Sequence, residues 1–272
     1  MRLTVTTWNI NSVRLRLPLA LHLLTERRPD VLCLQETKTP NDRFPAKAFA
    51  DAGYPHQAII GAKGYNGVAI ISRVPFAAQE TMAMCGRDDA RHVAVTLGGD
   101  TAAAGVTIHN FYVPAGGDEP DVTINDKFAH KLDFLAAMDA WAQTARPTTG
   151  RSVLVGDLNI APYEHDVWSH KQLLGVVSHT PVETSGLERL RATHAWIDAV
   201  RTLRPEPEKL YTWWSYRAQD WAAADRGRRL DHIWVSPLLA AQMASIDIWR
   251  EARGWERPSD HVPVSLSLDL SR

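Results

Sequence analysis

Long apolar runs are missing from this chain. The longest, such as Val31-Leu32-Cys33-Leu34, fall far short of the roughly 20 residues that cross a bilayer, so no membrane helix is expected. The opening Met1-Arg2-Leu3-Thr4-Val5-Thr6 alternates like a strand and lacks the longer apolar stretch and cleavage site of a secretory leader, which makes the cytoplasm the expected location. Cysteine is scarce: Cys33 and Cys85 allow one bridge at most, and both are expected to be reduced. Net charge is also close to nil. Thirty Lys plus Arg against 31 Asp plus Glu leave −1, so no global positive field marks a nucleic-acid partner and any such contact must be local. There is no Gly-rich loop running into Lys-Ser or Lys-Thr, which excludes a P-loop, and no Gly-x-Ser-x-Gly elbow for a serine nucleophile. Zinc is not indicated either, because the near pair His165 and His170 has no cysteine partner.

What is present describes a globular protein of 272 residues, 45% hydrophobic and 22% charged, with room for one large domain or two smaller ones. Short segments rich in Val, Ile and Leu predict strands at Leu3–Trp8, Val31–Gln35, Gly67–Ile71, His92–Leu97, Val106–Phe111, Ser152–Val155, Leu230–Val235 and Pro263–Leu268. Between them, helices are predicted with Pro18 near the start and Leu17, Leu21 and Leu24 at helical spacing, ending before Pro29, then from about Asp121 to Ala142, and from Ser185, where Glu188 completes a capping-box pattern. Strands in runs with helices inserted between them predict an α/β protein of two packed sheets flanked by helices. Two arginine-rich stretches stand out: Arg217, Arg226, Arg228 and Arg229, with Trp213, Trp214 and Trp221 beside them, and Arg250, Arg253 and Arg257. They read either as solvated faces among interspersed acids or as local nucleic-acid contacts with aromatic rings suited to stacking.

Polar residues collect at the strand ends. Asn9 and Asn11 follow the first strand and Glu36 the second; Tyr112 follows Phe111; Asp157 and Asn159 follow Val155; Asp231 and Asp260-His261 open the last two strands. Any one of them alone would be read as a turn former. Together they suit phosphodiester hydrolysis, which needs a charge clamp on the phosphoryl oxygens, a base for water and stabilisation of the departing oxygen. Glu36 is a hard oxygen ligand for Mg²⁺, with Asn11 and Asp260 as further contributors. His261 as imidazolium suits a phosphate oxygen, with Asp231 raising its pKa and fixing its ring. Asp157 can activate water or manage the leaving-group proton, with Asn159 orienting the same water or phosphate.

The segments Trp8-Asn9-Ile10-Asn11-Ser12-Val13-Arg14, Leu34-Gln35-Glu36-Thr37-Lys38, Asn110-Phe111-Tyr112-Val113-Pro114, Gly156-Asp157-Leu158-Asn159-Ile160, Arg229-Leu230-Asp231-His232 and Pro258-Ser259-Asp260-His261-Val262-Pro263 resemble, in order and spacing, the exonuclease III family of apurinic/apyrimidinic endonucleases. The resemblance implies one domain over residues 1–272, a four-layer α/β sandwich of the DNase I-like kind with the site at one end of two packed mixed sheets. It implies a DNA-repair hydrolase that incises duplex DNA 5′ to abasic sites and clears blocked 3′ ends, with 3′→5′ exonuclease activity as a further outcome. Mg²⁺ is the implied ion, with Mn²⁺ as the alternative, in a monomer associated with the nucleoid. By motif position, Glu36 and Asn11 go to the metal with Asp260 beside it; Asn9, Tyr112, Asn159 and His261 surround the phosphate; Asp231 stands behind His261. Asp157 handles the proton of water. Trp213 and Leu230 take the places that form a pocket for an extruded abasic sugar. Arg217, four residues beyond Trp213, is placed to enter a groove beside the lesion.

Three departures from the family's pattern stand in this chain: neutral Asn11 where some members carry an acid, Ala115 where several carry an amide, and the acidic loop 116–121 where a DNA-facing loop would be neutral or basic. Two other readings compete, a superfamily relative acting on a small phosphoester or lipid head group, and a nucleic-acid-binding protein without turnover. Since every polar catalytic position is filled, the second has nothing in its favour.

Overall fold

A computed structural model describes residues 1–87 and 89–271. Fourteen strands appear among them: β1 Arg2–Asn9, β2 Val31–Gln35, β3 His56–Ile60, β4 Val68–Ser72, β5 Phe76–Glu80, β6 His92–Leu97, β7 Thr107–Tyr112, β8 Ser152–Asp157, β9 Ile197–Asp198, β10 Trp213–Trp214, β11 Gly227–Arg228, β12 Asp231–Val235, β13 Met243–Ile248 and β14 Val264–Asp269. Two six-stranded sheets result, ordered β13-β14-β1-β2-β4-β3 and β5-β6-β7-β8-β12-β9, with β10-β11 as a separate ribbon. Both sheets are mixed: β1–β2 and β7–β8 run parallel, and the other pairs antiparallel.

The alternation of side chains along each strand divides the apolar residues between layers. Val31 and Cys33 of β2 join Val153 and Val155 of β8 in the core between the sheets. Leu32 and Leu34 turn the other way, onto Ala20, Leu23 and Leu24 of the helix Leu17–Glu26. Leu154 meets Phe134, Leu135 and Met138 of the long helix Asp126–Ala145, and Leu187 and Leu190 of the helix Pro181–Thr193. Helices therefore cover both outer faces, which is the four-layer sandwich that the family resemblance implied. Cys33 is buried and Cys85 partly so, and both are free.

Two helix starts depart from expectation, and the long helix also runs three residues further, to Ala145. The long helix begins at Asp126, because the Asn125 side chain accepts the backbone N–H of Lys127 and Phe128 and so caps it there. The third helix begins at Pro181, four residues early. Its capping box is Thr180 with Glu183, reinforced by proline at the first helical position, and Ser185 and Glu188 lie within the helix.

Parallel pairing within each sheet brings polar ends to one edge. Asn9 stands opposite Gln35, the residue before Glu36, and Tyr112 stands opposite Asp157. Asp231 pairs with Asp157 from the antiparallel side. Beneath them a polar tie joins the sheets: Gln35 Nε2 donates to Asn110 Oδ1 at 2.7 Å, and Asn110 Nδ2 donates to the Leu34 and Ala69 carbonyls, each at 3.0 Å. The start of β12 is anchored by Arg229, fully buried, which bonds Asp166 through Nε and Nη2 at 2.7 and 2.8 Å and meets Asp198 at 2.9 Å. This corrects the reading of the first arginine stretch as a surface group, since Arg229 belongs to the core.

Two buried histidines set an acid limit on the fold. Burial lowers His109 to about 4; the same burial, aided by Arg229, lowers His232 to about 4. Both therefore stay neutral in the folded chain, while the unfolded chain binds their protons near the ordinary value of about 6.5. Stability from this source is complete above that value and is lost as pH falls towards 4. Each histidine accounts for on the order of 3 kcal/mol at most. A thermal melting series from pH 7 to 4.5 should show a steady fall in Tm that is shallower in His109→Gln. Parallel curves for the two proteins would contradict the assignment.

Candidate active site

Three of the polar residues occupy left-handed backbone immediately beyond strands: Asn11 at φ 46°, Glu36 at φ 50° and Asn159 at φ 54°. Such conformations are uncommon outside glycine and cost on the order of 1–3 kcal/mol where the surroundings enforce them. They turn the side chains from the sheet edges back into one cleft, where the two sheets' residues meet. Asn9 Nδ2 donates to Glu36 Oε1 at 2.9 Å and to Asp157 Oδ2 at 2.8 Å, joining the first sheet to the second. Tyr112 Oη donates to the same Glu36 oxygen at 2.8 Å. Asn159 holds both oxygens of Asp157, with its backbone N–H on Oδ1 at 3.0 Å and its amide on Oδ2 at 3.1 Å.

His261 lies between two carboxylates. Its Nδ1 donates to Asp231 Oδ2 at 2.8 Å, and its Nε2 lies 3.6 Å from Asp157 Oδ2. Thr212 Oγ1 also donates to Asp231 Oδ2, at 2.6 Å, which fixes the carboxylate that fixes the ring. Burial alone would lower the His261 pKa, but Asp231 and then Asp157 outweigh it and raise it, so the ring is an imidazolium at neutral pH. Burial raises Asp157, with Asp231 adding and His261 opposing. That upward shift moves Asp157 towards the range where a carboxylate serves as a base near neutrality. Glu36 stays below the ordinary range: burial works upward, but hydrogen bonds from Asn9 and Lys38 prevail. Burial and Glu36 hold Tyr112 well above its ordinary value, so it remains a donor.

Asp260 takes Asn11 Nδ2 on Oδ1 at 3.0 Å and Trp213 Nε1 on Oδ2 at 2.9 Å. Lys38, whose role the sequence left unassigned, places its ammonium 2.7 Å from Glu36 Oε2 and 2.6 Å from Asn11 Oδ1. Two hard oxygens thus face one cation already, the donor chemistry that a divalent ion such as Mg²⁺ uses. A second cluster, Asp157, Asp231 and His261, has one ligand atom from each within 4.8 Å of the others, and all three are buried.

Trp213 and Leu230 share an apolar cluster with Ala161, Val167, Leu173 and Trp168. The indole N–H of Trp213 on Asp260 ties that cluster to the polar centre. Arg217 is exposed and takes no part in the cluster; its backbone N–H reaches Ser215 Oγ at 3.2 Å. Positive charge gathers elsewhere. A cavity of about 430 Å³ beside Tyr112 is lined by Arg87, Arg91, Lys127, His130 and Tyr65, with the acid Asp126 among them; Arg91 pairs with Asp89 at 2.5 Å and its guanidinium lies 4.7 Å over the Tyr112 ring. Sequence reasoning missed this group because its members come from separate segments and none forms a run.

The sequence matches the Endonuclease/Exonuclease/phosphatase family over residues 6–261. It is 30% identical to an exodeoxyribonuclease III of Haemophilus influenzae over 265 residues, covering 95% of this chain and 97% of that protein. An AP endonuclease from Archaeoglobus fulgidus superposes with a TM-score of 0.90 at 30% identity, over 98% of this chain and 100% of the other. NExo, a 3′-5′ exonuclease from Neisseria meningitidis, gives 0.89 at 34%, with 98% and 100% covered. A Neisseria structure described as the 3′ phosphatase NExo bound to a product DNA hairpin gives 0.87 at 34%, with 98% and 99% covered. The two-sheet sandwich agrees with these matches: the chain belongs to the endonuclease/exonuclease/phosphatase family, in its exonuclease III branch of DNA-repair nucleases.

Proposed function

We propose that the protein hydrolyses duplex DNA 5′ to abasic sites and removes groups that block 3′ ends, with Mg²⁺ as its ion and 3′→5′ exonuclease activity as another outcome of the same centre. The observation that carries this reading is the Trp213–Asp260 hydrogen bond, which sets an apolar cluster directly against the charged residues. An extruded sugar without its base would pack on the apolar surface at Trp213 beside Leu230, which an intact nucleotide matches poorly, and this gives selectivity for damage a physical origin. Residues 1–272 act as one catalytic domain in this reading, and the active form is a monomer.

Glu36 and Asn11 would hold the ion, with Asp260 beside them; when bound, Mg²⁺ supplies positive charge to the phosphoryl oxygens and to the departing oxygen. Asp157 takes a proton from water as the water oxygen attacks phosphorus. Asn9 and Asn159 keep the Asp157 carboxylate aimed. The His261 imidazolium, oriented by Asp231, and the Tyr112 hydroxyl donate to phosphate oxygens, where negative charge builds in the transition state. The P–O3′ bond breaks with its electron pair on O3′, which takes a proton from solvent while Asp157 returns its own to solvent, leaving a 3′-hydroxyl on one side and a 5′-phosphate on the abasic sugar.

A gel assay with end-labelled duplexes tests the reading. Strands carrying an abasic analogue or a 3′-phosphate should be processed with Mg²⁺, with loss of roughly 10³-fold or more in EDTA and recovery when Mg²⁺ is returned. Full activity in EDTA would overturn the metal-assisted mechanism. Hydrolysis of inositol phosphates with none on the abasic duplex would assign the protein to small phosphoesters.

A further inference from the structure

Lys131, on the long helix Asp126–Ala145, is fully buried behind the cleft, and its ammonium has three partners. It donates to the Asn159 carbonyl at 2.8 Å and to the Ala115 carbonyl at 3.3 Å, and it pairs with the equally buried Glu183. Glu183 is satisfied from its other side by the Ser178 N–H, at 2.9 and 3.0 Å, and by Thr180 through its N–H at 3.2 Å and its hydroxyl at 2.6 Å. A buried ion pair is a weak source of stability, because desolvating two charges offsets most of their attraction and an apolar pair of similar volume often serves as well. No apolar pair could donate hydrogen bonds to two carbonyls.

Those carbonyls lie just past the ends of the two strands that carry the chemistry. β7 and β8 run parallel and end on the pair Tyr112–Asp157. Beyond that pair, Asn159 holds both oxygens of Asp157 and also donates to the Val113 carbonyl at 2.9 Å. The loop after Tyr112 lies on the lysine stem. At Gly116, φ 91°, a Cβ would stand 2.9 Å from Lys131 Cδ and 3.0 Å from Val177 Cγ1. Without the ammonium, the Asn159 carbonyl would be a buried acceptor with no donor, and its left-handed peptide would lose what holds it.

We propose that Lys131 is a positioning residue for hydrolysis, locking the exits of β7 and β8 together so that Asn159 keeps its hold on Asp157. The same contact supports the loop bearing Ala115 through its backbone, at the position where an amide side chain is missing. This rests on the reading of Asp157 as the group that takes the proton from water.

The test is the double variant Lys131→Met/Glu183→Gln, which removes both charges and leaves no unpaired carboxylate. With abasic duplex and Mg²⁺, kcat should fall roughly 100-fold while KM stays within about threefold, the cost of misplacing a reacting group by about an ångström. Glu183→Gln alone retains the ammonium and should lower Tm yet leave kcat within about threefold. A folded double variant with wild-type kcat would overturn the assignment. Should the double variant not fold, Glu183→Gln decides: near-wild-type kcat supports the assignment, and a tenfold or greater loss refutes it. A wild-type protein that leaves the abasic duplex intact overturns the functional reading, and the role of Lys131 with it; an active wild type whose double variant is unimpaired overturns the role of Lys131 alone.

Discussion

Asp157→Asn should reduce cleavage of abasic duplex by roughly 10²- to 10⁴-fold while DNA binding stays within a few-fold of wild type. The substitution retains the shape and one carbonyl oxygen, so Asn9 and Asn159 keep much of their packing, but an amide cannot accept the proton of attacking water. Folding should not account for the loss. The folded-state pKa of Asp157 is raised above its unfolded value, so the ionised carboxylate costs stability as pH rises through that value, and a neutral amide removes the cost. Single-turnover rates at saturating enzyme, fluorescence-anisotropy titrations and melting curves at pH 8 separate the three quantities. A variant that cleaves at the wild-type rate would move proton transfer to another group.

Gly156→Ala should cost on the order of 3–5 kcal/mol of stability and most of the activity together. Gly156 sits at φ 144°, directly opposite Phe111 in the β7–β8 pairing. A Cβ there would stand 1.9 Å from the Phe111 carbonyl oxygen and 2.8 Å from its carbon. Both obstacles are backbone, so no side chain can swing aside and the strands must separate. The next pair along is Tyr112 with Asp157, which places the distortion at the centre of the site. Urea unfolding followed by tryptophan fluorescence should show a lowered midpoint. An unchanged midpoint would mean that the strand exits are far more compliant than this packing implies.

The central strands were legible because they are buried on both faces and read as unbroken apolar runs, as in Val31–Gln35 and Val68–Ser72. The edge strands were not. Phe76–Glu80 is mostly exposed and Met243–Ile248 is half-exposed, so neither carries an apolar signature. For the third helix, Thr180-Pro181-Val182-Glu183 offers the same capping pattern as Ser185–Glu188, and proline at the first helical position identifies the true start. In the cleft, residues that follow strand ends could be named from sequence because chain connectivity alone places them. Their supports could not: Asn110 lies 75 residues from Gln35, Arg229 63 from Asp166 and Lys131 28 from Asn159. A buried Lys or Arg in a linear sequence looks like any surface charge until its partner is brought to it. The neutral Asn11 was visible as a departure, but its contact with Lys38 and Asp260 emerges only when three loops converge.

Cleavage of natural abasic duplex in ¹⁸O-labelled water measures the central claim directly. Hydrolysis by water activated at Asp157 places one labelled oxygen on the 5′-phosphate for every strand cut, with an unlabelled 3′-hydroxyl opposite, only when the divalent ion is present and only slowly in Asp157→Asn. Strand breakage without label in the phosphate, or with a 3′ end carrying an unsaturated sugar, would show that the chain breaks by elimination and would contradict the account.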